Sequence, residues 1–153
     1  MRESQRPGPG YSTTKSSPDI KDRLSVPVPK ERLDELLLEL ILVDTVALVD
    51  PRRGPIAERI IERAMSPTDY SRVLDRYDEI SEDDDDEAGL IEFCFKHATV
   101  KDSHWKSKML RWFMRIVGSG RALSSDDVVE LAGLAAAMGA TCEWEALHRA
   151  GAR

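Results

Sequence analysis

A chain of 153 residues supports one domain, and its net charge of -6 opposes a nucleic-acid partner. Cys94 and Cys142 are too few to staple a secreted fold, and no charged segment leading into an apolar one opens the N-terminus. The expected compartment is therefore a reducing cytoplasm.

Residues 1–29 are rich in Ser, Thr, Pro and Gly and have no apolar period, so they read as a disordered tail ahead of a helical domain over residues 30–150. The tail carries five basic and three acidic groups, which leaves -8 on the remainder. Past Pro29, apolar residues recur at helical spacing and no alternating stretch suggests a strand, which predicts an all-α bundle of about seven helices. In the first helix Leu33, Leu36, Leu37, Leu40, Ile41 and Leu48 line one face, and Leu38, Leu42, Val43 and Val46 cover most of the other. Such a helix belongs at the centre of the bundle. Glu39, Asp44 and Thr45 interrupt it, and a bilayer span needs about 20 apolar residues, so no membrane span is expected. Asp44, a carboxylate on an otherwise apolar helix, is expected to be buried and paired with an arginine.

Asp50-Pro51 ends that helix, because proline disfavours helical geometry in the residue before it. Gly54-Pro55 opens a second helix with Ile56, Ile60, Ile61, Ala64 and Met65. Ser66-Pro67-Thr68-Asp69 supplies a cap and a first-turn proline for a third, which presents Tyr70, Val73, Leu74 and Tyr77. Ser81 is placed to cap a fourth helix, with the run Glu82, Asp83, Asp84, Asp85, Asp86 and Glu87 across its first turn and Leu90, Ile91, Cys94 and Ala98 facing the core. The fifth shows Trp105, Met109, Trp112, Phe113 and Ile116 until Gly118-Ser119-Gly120 stops it. Ser124 and Asp127 cap a sixth helix with Val128, Leu131, Ala132, Ala135 and Met138 inward, and Gly133, Ala136 and Ala137 as sites of close packing. A short last helix holds Trp144 and Leu147.

Two stretches share one plan: an apolar helix, a tight turn with glycine, and a second helix with acidic residues in its first turn. They run from Leu40 to Met65 and from Leu110 to Met138, an imperfect internal repeat of two helix-turn-helix units. Their turns read Ala47-Leu48-Val49-Asp50 then Gly54-Pro55-Ile56-Ala57-Glu58, and Ser119-Gly120 then Leu123-Ser124-Ser125-Asp126-Asp127. On these residues the chain resembles the tellurite-resistance TerB family, whose two such units typically carry an Ala-x-x-Asp-Gly turn followed by a Glu. Here Pro51-Arg52-Arg53 stands between the Asp and the Gly, and Ser119 replaces the second Asp. The resemblance implies a role in stress-response complexes and makes Asp50, Glu58, Asp126 and Asp127 the candidate ligands of a divalent cation, provided the two turns meet.

Other constellations point to structure more than chemistry. Cys94 and His97 share a helix face, with His104 seven residues on, but the spacing fits no closed zinc module and Cys94 reads as core. No nucleophile, base and orienting group are nominated together, and no glycine-rich phosphate loop occurs, so the chain reads as non-enzymatic and without a cofactor. What remains is a charge contrast. From Asp75 to Glu92 ten acidic residues face Arg76 alone, whereas from Lys96 to Arg121 seven basic residues face Asp102 alone. The acidic run, together with Lys106, Lys108, Arg111 and Arg115, is the expected binding surface for a protein partner. The expected function is a protein-interaction module of TerB-like plan. The alternatives are an acidic, immunity-like protein that neutralises a basic partner and a divalent-metal sensor.

Overall fold

Two central helices, one apolar on nearly every side and the other amphipathic, determine how the remaining chain is arranged. The computed structural model describes residues 30–83 and 87–151, with side chains left undescribed at Lys30 and from Ser81 to Ala88; the predicted tail lies outside the described residues. The first of the two, α1 (Lys30–Ala47), buries Leu36, Leu37, Leu38, Leu40, Ile41, Leu42, Val43 and Val46, side chains that point to every side of the helix. A 3-10 turn (Pro51–Arg53) leads into α2 (Gly54–Ala64), then α3 (Pro67–Asp83), α4 (Glu87–Ala98), α5 (Ser103–Gly118), α6 (Ser125–Ala137) and α7 (Thr141–Gly151). The protein is all-α, a compact helical bundle, and no strand occurs among the described residues.

α1 packs against α2, α3, α4 and α5, while α5 packs against α1, α2, α6 and α7. The second hub helix buries Trp105, Met109, Phe113 and Ile116 of its predicted stripe, leaves Trp112 partly buried against the core, and adds Leu110 and Val117. Each hub is followed by a turn and a partner helix, so the two helix-turn-helix units of the sequence are both present.

Helix ends follow the local chemistry. The Ser66 hydroxyl accepts the Asp69 N–H at 3.1 Å and so caps α3. Asp102 accepts the Trp105 N–H at 2.8 Å at the start of α5. Ser124 and Asp127 close a reciprocal capping box at the start of α6. α5 stops where Ser119 turns left-handed (φ 51, ψ 42), with its hydroxyl donating to the Ile116 carbonyl. The α6–α7 turn depends on Gly139 at φ 65, a conformation unfavourable to any residue with a Cβ.

Four expectations require correction. Leu48 is 82% exposed, because α1 ends at Ala47 and the extended backbone of Asp50 before Pro51 carries the chain away. Ser81 does not cap a helix: it lies inside α3, since the apolar spacing of that helix continues from Tyr77 to Ile80, which packs on the core. The acidic run therefore straddles a helix junction, with Glu82 and Asp83 ending α3, Asp84 to Asp86 outside the described residues, and Glu87 opening α4. Asp44 is exposed, and the buried carboxylate of α1 is Glu39. In α6, Ala132, Gly133, Ala136 and Ala137 face solvent, and Leu134 takes the inward place expected of Ala132.

The units are tied by one residue of the unexpected Pro51-Arg52-Arg53 segment. Arg53 is only 6% exposed; its guanidinium donates to the Val46 carbonyl at 2.9 Å and forks onto both oxygens of Glu130 in α6 at 2.8 Å each. The bidentate geometry suits arginine and has no lysine equivalent. Arg53→Lys is expected to destabilise the fold, and Arg53→Ala to do so by about 3 kcal/mol, reduced from a fully buried pair because Glu130 is partly exposed. Urea denaturation of the two variants checks both the magnitude and the order.

Candidate protein-docking site

The sides of α1 differ in what they meet. Towards α5 the contact is polar. Glu39, 1% exposed, accepts hydrogen bonds on Oε2 from the Trp105 indole N–H and from Lys108 Nζ, both at 2.9 Å, and the Arg32 guanidinium lies 3.8 Å away. Its Oε1 is buried without a hydrogen-bond partner. One turn earlier Glu35 pairs with Lys101 at 3.1 Å and with Arg32. Burial opposes ionisation of Glu35, but the Lys101 hydrogen bond and the charges of Lys101, Arg32 and Lys108 hold its carboxyl below the usual range. The Lys101 and Lys108 ammonium groups also stand over the Trp105 and Trp112 rings at 5.6 and 5.0 Å.

This seam redistributes the predicted basic surface. Lys108 reaches inward to Glu39, and Lys106 donates to the Gly139 carbonyl at 3.0 Å. Arg111 and Arg115 are exposed. Of the acidic run, Glu82, Asp83 and Glu87 are placed by their backbone at the α3–α4 junction, and Asp84, Asp85 and Asp86 lie outside the described residues.

The two turns lie near enough for Asp50 and Asp127 both to act on Arg52 and Arg53. Asp50 accepts from the Arg52 backbone N–H at 2.9 Å and pairs with its side chain at 2.7 Å; these contacts hold its pKa down at about 2. Asp127 is held below the usual range by its Ser124 backbone hydrogen bond, and Asp50 and Asp127 both act electrostatically on Arg52 and Arg53. Asp126 and Glu58 are exposed, and Glu58 belongs to a groove on another part of the surface. Among the described residues no three acidic, His or Cys side chains converge as metal ligands. Cys94 is buried, which pushes its thiol up to about 11, while His97 stacks on Phe93 and His148 on Trp144.

On its remaining side α1 leaves a groove of about 910 Å³ against α2 and the start of α3. Leu40, Ala47, Ala57, Ile61 and Met65 form its apolar surface. Leu48 and Tyr70, 82% and 38% exposed, stand along it. Among the described residues its charged lining is Asp44, Glu58 and Glu62, all exposed, and no Lys or Arg. Asp44 reaches solvent, yet the groove walls around it take water from its carboxyl and raise its pKa. Sequence periodicity assigned Leu40, Ile61 and Met65 to the core, where they are 5–7% exposed, without showing that a groove runs above them. The overlooked signal was Leu48-Val49, two apolar residues beyond the point where the helix ends.

Comparison with family models, curated proteins and solved structures gave no match to this chain.

Removing Lys108 leaves the buried Glu39 without its closest cation, so Lys108→Met is expected to cost about 2–4 kcal/mol in a chemical denaturation series. Glu39→Leu combined with Lys108→Met should cost less than Lys108→Met alone. Asp50 predicts a pH effect of defined sign: its folded pKa lies below 3.8, so its contribution is present above about pH 4 and fades as pH falls towards 2. Urea midpoints of Asp50→Asn should therefore fall less steeply than those of the parent over that window.

Proposed function

We propose that this protein is a non-enzymatic helical protein-interaction module of TerB-like plan, and that its docking site is the groove between α1 and α2. The observation that carries the reading is an open apolar groove bordered by the exposed side chains of Leu48 and Tyr70. A small ligand held between the walls would leave Leu48 and the adjacent Val49, 68% exposed, in water, whereas a polypeptide laid along the groove covers them. The TerB-like plan is supported by the two hub-turn-helix units. The non-enzymatic reading rests on the sequence, which nominates no nucleophile, base and orienting group together.

The groove replaces the charge-contrast surface as the leading docking site, because Lys101 and Lys108 are engaged with Glu35 and Glu39 inside the fold. Leu48→Ser with Tyr70→Ser removes exposed apolar surface and leaves the core intact. That double variant is expected to melt within a few degrees of the parent and to lose specific partners in quantitative affinity capture, whereas Arg111→Glu with Arg115→Glu retains them. Equal recovery by the groove variant and the parent would contradict the assignment.

A further inference from the structure

We propose that the groove receives an amphipathic α-helix from another protein, with an apolar stripe flanked by lysine or arginine. This rests on the reading of the groove as a docking site and adds the chemistry of the partner. Its walls are two helices that contribute residues at helical spacing: Leu40, Asp44 and Ala47 from α1, and Ala57, Ile61 and Met65 along α2 and its end. A third helix lays its own ridge between such walls as it would in a bundle core. From Gly54 to Met65 the α2 wall runs roughly 16 Å, about three turns of a docked helix.

Charge selects the partner. Asp34, Glu35, Glu39, Asp50, Asp69 and Glu130 each have a cationic partner within the fold. Asp44, Glu58 and Glu62 make no side-chain hydrogen bond or ion pair with a described residue, and these are the three carboxylates that border the groove. Arg59 and Arg63 are exposed on α2 and lie outside the groove lining. Glu58 and Glu62 stand one turn apart, a like-charge pair that is mildly destabilising by itself and is relieved by a cation placed between them. A helix with acidic flanks meets repulsion there, as does an anionic lipid surface or a nucleic acid.

Fluorescence anisotropy with the full chain and synthetic peptides of about 14 residues tests this directly. One peptide has Leu at helical spacing flanked by Lys, the second keeps the Leu stripe and replaces Lys by Glu, and the third scrambles the first. The Leu/Lys peptide should bind at least about tenfold more tightly than the other two, and raising salt to about 0.5 M should weaken it. Asp44→Asn with Glu58→Gln and Glu62→Gln should reduce its affinity about tenfold, with circular dichroism reporting an unchanged fold. Leu48→Ser with Tyr70→Ser should weaken it as well. Equal binding of the Leu/Lys and Leu/Glu peptides, both weakened by Leu48→Ser with Tyr70→Ser, would overturn the partner chemistry while leaving the groove in place. Equal binding of the scrambled peptide, or a triple variant indistinguishable from the parent, would overturn the proposal. Leu/Lys binding indifferent to Leu48→Ser with Tyr70→Ser would remove the groove assignment itself.

Discussion

Glu39 is a carboxylate on a helix with no solvent face at that point. Leu36, Leu37 and Leu38 precede it, Leu40, Ile41 and Leu42 follow it, and all are buried. A charge in that position must be met by hydrogen-bond donors or the bundle does not form. Trp105 and Lys108 of α5 meet it, and together they fix how α5 lies along α1. Because α5 in turn carries α6 and α7, Glu39 acts together with the Arg53–Glu130 pair in setting the relation between the two halves of the chain. The unpartnered Oε1 indicates the limit of this arrangement: the donors converge on one oxygen, and the other is buried beside them.

Ion pairing draws four of the molecule's cations inward. Lys101, Lys108, Arg32 and Arg53 are drawn into the fold by Glu35, Glu39 and Glu130. Among the described residues, the groove on the other side of α1 is lined by Asp44, Glu58 and Glu62 and by no cation. The groove walls are parts of the packed bundle, α1 most of all, so their spacing is set before any partner arrives and little ordering entropy is lost on docking.

Much of the fold was legible in the sequence because helical periodicity, capping serines and proline stops are local signals. The boundaries of α2 and α6, the caps at Ser66 and Ser124 and the stop at Ser119 follow from residues within a few positions of one another. The errors arose where distant contacts decide. Asp44 and Glu39 both interrupt the apolar run of α1, and periodicity alone does not tell which one α5 covers. Lys108 and Arg111 look alike on a helical projection, yet one is held by Glu39 and the other is exposed. Ser81 has a capping side chain, but the core contact of Ile80 carries the helix past it. The groove was the least legible feature, since it depends on how two helices are placed against each other.

The central claim concerns where a partner sits, and methyl chemical-shift mapping of the full chain with the Leu/Lys helix reads that location directly. Resonances of Leu40, Ala47, Ala57, Ile61 and Met65 should shift together in a saturable manner, while those of Ile116 and Leu131, fully buried away from the groove, stay in place. Shifts confined to the α5 and α6 side, or scattered without saturation, would contradict the account.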